Sequence, residues 1–180
     1  MQNLMRTYVV LLRGVMPYGR NKVPMATLRA ILSEAGLGDV QTYIQSGNVI
    51  ARSELEREDI EALVHDEIRE RIGASISVIA RTAEHFRMIF EQNPFADSES
   101  ARTYFSLFDK HPSREQREKF LLTDFSPDTV QLVDDALYTL YHTKLSDSRF
   151  TNSFFEKQLK VTATSRNFNT MSKLVELSAV

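Results

Sequence analysis

The chain contains no cysteine. That absence excludes disulfides, cysteine-ligated zinc and iron–sulfur centres, and any thiol nucleophile. Long hydrophobic runs are missing too. The most apolar stretch, Tyr8 to Leu12, falls far short of the roughly 20 residues needed to span a bilayer. The opening "MQNLMRTYVVLLRG" has one arginine and a short apolar run. It lacks the cationic start, longer apolar region and small-residue cleavage site of a secretory signal. A cytosolic protein with no membrane partner is expected. Charge of one sign does not dominate either. A net charge of −2 argues against a protein dedicated to coating nucleic acid, although local clusters can still hold phosphates.

Several chemical signatures are absent as well. No G-x-S-x-G elbow, P-loop spacing or dinucleotide fingerprint occurs. His65, His85, His111 and His142 are scattered, and no two have the i, i+4 spacing of a helical metal site. The glycine- and aromatic-rich strand pattern of an RNA-recognition motif is missing.

What is present is a clear alternation of elements. Tyr8–Leu12 reads as a buried strand, followed by a loop from Gly14 to Asn21. Pro24 at a first helical position, the apolar stripe Met25, Leu28, Ile31, Leu32, and Gly36 beyond it mark a helix. Val40–Ile44 and Asn48–Arg52 read as strands, joined by a two-residue turn at Ser46-Gly47 or Gly47-Asn48. Ile60, Val64, Ile68 and Ile72 mark a helix over about 57–72. A strand at 75–80 follows, then a helix capped by Thr82 and stopped by Pro94.

Residues 93–102, "NPFADSESAR", read as a linker. Beyond it comes a strand at 103–108 and a helix whose capping box is Ser113 with Gln116. Strands at 129–133 and 136–142 meet at a turn, Asp134-Asp135. A second capping box (Ser153 with Glu156), a strand at 160–164 and a helix at 169–177 complete the chain. Each half therefore reads β-α-β-β-α-β-α. The fold class expected is α+β, with two tandem ferredoxin-like (β-α-β-β-α-β) halves, pseudo-duplicated in element order, spanning 1–95 and 96–180.

Charge is distributed unevenly. Residues 1–33 carry Arg6, Arg13, Arg20, Lys22 and Arg29 with no acid, and 148–175 carries five cations against Glu156 alone. Each basic segment contains a loop leading into a helix, where unpaired N–H groups and the macrodipole favour an anion. In "RGVMPYGRNKVP", Arg13 ends the first strand, Gly14 and Gly19 let the backbone bend, and Arg20 and Lys22 precede the helix; a solvated loop is the bland alternative. In "TATSRNFNTMSKL", capping requires one polar residue where Thr164, Ser165, Asn167 and Asn169 are all available. Arg166 at the helix mouth opposes the dipole unless an anion or carboxylate relieves it. In "TYIQSGNVI", turn chemistry accounts for Gly47 and leaves Gln45 unexplained.

These stretches, "LLRG" (11–14), "GRNKVPMATLRAIL" (19–32), "TYIQSGNVI" (42–50) and "VTATSRNFNTMSKL" (161–174), resemble the bacterial domain-of-unknown-function family 1697 over nearly the whole chain. The resemblance implies a small cytoplasmic α+β protein with ferredoxin-like halves, and it brings no activity or cofactor with it. Two departures stand out. Members tend to have a glycine-richer first loop where this chain has Met16-Pro17-Tyr18, and often tryptophan where it has Phe168.

The basic, capping-rich segments coincide with those that carry the resemblance. The expected site is a basic cleft between the halves that binds a phosphate-bearing small molecule or nucleotide. Arg13, Lys22 and Arg166 would supply charge, Gly14 close backbone approach, and Gln45, Ser46, Asn48 and Asn167 oriented hydrogen bonds. One alternative is an enzyme on a phosphorylated or nucleoside substrate with His142 or Lys144 moving a proton. A nucleic-acid-associated protein, which is not favoured, and an interaction module are the others.

Overall fold

The computed structural model describes residues 4–95 and 102–179. The chain resolves into two compact units, Met1–Met88 with Lys173–Val180, and Ile89–Ser172. Residues 96–101 of the expected linker lie outside the described residues. The described residues form a mixed α+β structure with two four-stranded antiparallel sheets and six α-helices.

In the first unit, β1 (Arg6–Arg13), β2 (Gly38–Tyr43), β3 (Asn48–Ser53) and β4 (Ser77–Thr82) form a sheet in the order β2-β3-β1-β4. Strand β1 is apolar without alternation because both of its faces are covered: Tyr8 through Leu12 are all 1 % exposed or less. Tyr8, Val10 and Leu12 pack against α1 (Met25–Glu34) through Leu28 and Leu32, and against α2 (Arg57–Arg71) through Ile60, Val64 and Ile68. The 3.6-residue period seen in the sequence is this buried stripe. Pro24 occupies the N-cap, one position earlier than expected. Strand β4 is an edge strand, and Glu61 of α2 reaches it, accepting the Ala80 N–H at 2.8 Å. Burial of that carboxyl pushes its pKa up. Helix α3 (Ala83–Glu91) follows directly, with Thr82 Oγ1 accepting the His85 N–H at 3.3 Å as expected of a cap.

In the second unit, β5 (Thr103–Phe108), β6 (Thr129–Val133), β7 (Ala136–Leu140) and β8 (Ala163–Asn167) take the order β6-β7-β5-β8. The core between this sheet, α4 (Arg114–Leu121) and α5 (Asn152–Leu159) is built around Phe108, Phe120, Phe150 and Phe155. The rings of Phe120 and Phe155 meet edge-on with centroids 6.1 Å apart. Both halves of the Ser113–Gln116 capping box are formed. Asp134 adopts φ 50° in the β6–β7 turn, where the sequence placed it.

Two expectations in this unit are corrected. The cap of α5 is Thr151, whose Oγ1 accepts the Phe154 N–H at 3.3 Å, so Ser153 lies inside the helix. Glu156 is drawn elsewhere, accepting the Ala163 N–H at 2.9 Å. The last strand runs 163–167 rather than 160–164. Lys160, in the left-handed conformation at φ 51°, ends α5, and pairing with β5 begins at Ala163 opposite Phe108. Helix α6 (Phe168–Ser178) starts immediately afterwards.

Candidate functional site

The β2–β3 connection is longer than a two-residue turn. Tyr43 pairs with Asn48, and Ile44 to Gly47 form the loop between them. Asn48 is fully buried and donates from Nδ2 to the Tyr43 carbonyl at 2.9 Å and to Ser46 Oγ at 3.0 Å, so its side chain holds the shape of this loop. Gly47 has φ 86°, and a Cβ there would sit 2.6 Å from Leu12 Cβ and 2.9 Å from Val15 Cγ2. Glycine is thus required twice, by conformation and by contact. Ile44 adopts φ 51°, a left-handed conformation that a β-branched residue rarely takes, and remains 49 % exposed. Gln45 and Ser46 are exposed beside it.

The tip of this hairpin sits on the start of the first basic loop. Leu11 pairs with Asn48, and the Leu12 N–H donates to the Gly47 carbonyl at 2.8 Å. Arg13, the next residue and the last of β1, is half-buried, and Gly14 turns the chain at φ 83°. The loop then closes on itself. Met16 N–H donates to the Asn21 carbonyl at 2.9 Å, Lys22 N–H donates to the Gly19 carbonyl at 3.2 Å, and Met16 bridges Lys22 in parallel. Arg20 and Lys22 are exposed. The structure therefore brings Arg13 and Gly14 beside the hairpin that carries Gln45, Ser46 and Asn48 at one end of the first unit's sheet, with Lys22 tied through Met16 into the loop that Gly14 opens.

Arg166 and Asn167 belong to the second unit. The mouth of α6 is occupied by Asn167, whose Oδ1 accepts the Thr170 N–H at 2.9 Å. Arg166 is a strand residue opposite Phe105, only 8 % exposed, donating to Thr164 Oγ1 at 2.7 Å and to the Ser165 carbonyl at 2.9 Å. Burial pulls its guanidinium down to about 10, which leaves it charged at neutral pH. Phe168 packs its ring against Phe90 and Phe105, with centroids 5.2 and 6.4 Å away.

Sequence reasoning passed over Arg81. It is 2 % exposed and donates to its preceding carbonyl, that of Ala80, at 2.8 Å. Its place matches that of Arg166: each is the penultimate residue of its unit's fourth strand, each pairs with the unit's first strand (Val9 and Phe105), and each precedes a capping residue. The signal was "RT" and "RN" immediately before a helix, too short to read without the register.

The opposite end of the first unit's sheet holds two adjoining hollows, about 840 and about 400 Å³, that share Thr7 and Arg52. Two of their cations, Arg6 and Arg52, have acidic partners. Arg6 bonds Glu56 at 2.6 Å, which raises the guanidinium pKa and lowers that of the carboxyl, and Arg52 lies 3.4 Å from Asp39. None of the expected site residues lines these hollows.

His142 and Lys144 are exposed in the segment that follows β7. Buried Asp128 organises that segment by accepting the N–H groups of His142 and Thr143 and the hydroxyl of Ser148 at 2.7 Å. Among the described residues no group of three His, Asp or Glu side chains is placed to hold a metal ion, and no helix is long and apolar enough to cross a membrane.

Among solved structures, the chain is similar to a conserved bacterial protein from Streptococcus pneumoniae, at 22 % identity and a TM-score of 0.74 over 97 % of this chain and 99 % of that one. At that identity the likeness concerns the fold. No curated protein matches the sequence. The model of the family described as protein of unknown function, DUF1697, matches residues 5–138, and this chain belongs to that family.

Proposed function

We propose that this chain is a cytosolic binding protein for a phosphate-bearing small molecule or nucleotide, held at the end of the first unit where the basic loop meets the hairpin. The observation that carries the reading is the Leu12 N–H to Gly47 carbonyl bond, which seats the hairpin tip beside Arg13 and Gly14. Two polar stretches separated in sequence thereby meet, and Arg20, Lys22, Gln45 and Ser46 are all exposed. Cations supply long-range attraction for phosphate, while hydroxyl and amide groups orient it. Arg166 and Asn167 remain candidates from the second unit and carry their own test, Arg166→Lys, which keeps the charge.

A thermal-shift panel of nucleotides and sugar phosphates tests the reading on the native chain and on Lys22→Ala/Gln45→Ala, two exposed positions whose loss leaves the fold intact. The expected result is a ligand that raises the native midpoint and not that of the variant, since only binding to the folded state stabilises. A panel that moves neither protein, or both equally, overturns it.

We also propose that each unit is a ferredoxin-like module. The orders β2-β3-β1-β4 and β6-β7-β5-β8, each with helices following the first and third strands, support this. Loss of chain order in a solved structure of either unit would refute it.

A further inference from the structure

We propose that the loop end of the first unit recognises a base as well as a phosphate, with Tyr18 as the stacking platform, so that its ligand is a nucleotide rather than a sugar phosphate or free phosphate. This rests on the binding reading above and narrows its ligand class. The 16–22 loop is closed at its base by the Met16–Asn21 and Lys22–Gly19 backbone bonds and the Met16–Lys22 bridge. Tyr18 projects from it 77 % exposed, and Met16 is 51 % exposed. Across the Val15–Gly47 contact lies Ile44, also half exposed. A single exposed apolar side chain is ordinary, but here the basic loop exposes Met16 and Tyr18 together with Arg20 and Lys22, and the hairpin that meets this loop exposes Ile44. An aromatic ring beside cations has the two elements a nucleotide needs: a π-face for the base and charge for the phosphate.

One further feature of the chain points the same way. Ile44 is held left-handed at φ 51° by a loop that the buried Asn48 side chain shapes. Residues held in sparsely populated backbone conformations cluster at ligand-binding and switch sites, and Ile44 is such a residue beside the basic loop. Apolar cover from Ile44 and Met16 at the margins of a base stacked on Tyr18 accounts for their exposure.

Calorimetric titration with adenosine 5′-monophosphate, ribose 5-phosphate and inorganic phosphate tests the proposal on the native chain, Tyr18→Ala and Tyr18→Phe. The nucleotide is expected to bind the native chain about tenfold more tightly than ribose 5-phosphate. Tyr18→Ala should erase that preference without changing ribose 5-phosphate affinity, and Tyr18→Phe should keep it. A short oligoadenylate distinguishes a strand from a free nucleotide; Tyr18-dependent binding of either supports stacking. Equal affinity for nucleotide and ribose 5-phosphate, or equal weakening of both by Tyr18→Ala, overturns the stacking role and leaves phosphate binding standing. Failure of all the probes on the native chain overturns both.

Discussion

The two units reach the same strand order by different packing chemistry. The first fills its helix-facing core with aliphatic side chains, Leu28, Leu32, Ile60, Val64 and Ile68, with Tyr8 the aromatic among them. The second fills the corresponding space with Phe108, Phe120, Phe150 and Phe155. Branched aliphatics interlock through many weak contacts, whereas rings meet edge-on at defined angles. What the units share is pattern: helices after the first and third strands, a glutamate from the second helix binding an N–H of the fourth strand (Glu61 to Ala80, Glu156 to Ala163), and a buried arginine before the next helix. Pattern without identity is why the repeat shows in element order and not in residues.

Truncation in the cores should give the largest effects. Phe155→Ala should cost about 3–5 kcal/mol and Ile68→Val about 0.5–1.5, read from denaturant midpoints at constant m-value. Similar small losses would mean that the aromatic core is not tightly packed. The next contrast tests equivalence: Arg81→Leu and Arg166→Leu should each cost about 1–3 kcal/mol, because each strands buried acceptors. If one were neutral, the structural correspondence would carry no energetic weight. Thr151→Ala should cost about 1 kcal/mol and Ser153→Ala less than about 0.5, which confirms the true cap of α5.

The smallest effect concerns pH. Burial raises the Glu61 pKa in the folded state, so the contribution linked to its protonation is present below the unfolded carboxyl value and lost as pH rises through the folded one. Glu61→Gln, which keeps an oxygen acceptor for Ala80, should therefore raise the thermal midpoint relative to the native chain at pH 7 and not at pH 3.5. An unchanged difference across that range would contradict the assignment.

Element order was legible because periodicity reports burial: the i+4 stripe Ile60, Val64, Ile68 and the unbroken Tyr8–Leu12 run each translate directly into covered faces. Local signals failed where a distant partner won. Glu156 had the spacing of a capping box, but the Ala163 N–H on the adjoining edge strand claims it. "KVTAT" had strand propensity, but Thr162 is tied to Asp109, and the ladder starts one residue later. The candidate site was legible as residue types and not as geometry. Asn48 looked like a displayed polar group and is a buried brace, and the adjacency of "LLRG" to "QSGN" depends on the β1–β3 register, which no local pattern encodes. The strain at Ile44 left no sequence signal, since isoleucine there reads as ordinary strand.

Amide chemical shifts of the full chain during titration with pyrophosphate test the central claim most directly. Binding where the basic loop meets the hairpin predicts saturable shifts centred on Gly14, Gly19, Lys22, Gln45 and Ser46. Shifts centred instead on Thr7, Arg52 and Ala83, at the other end of the sheet, would contradict it.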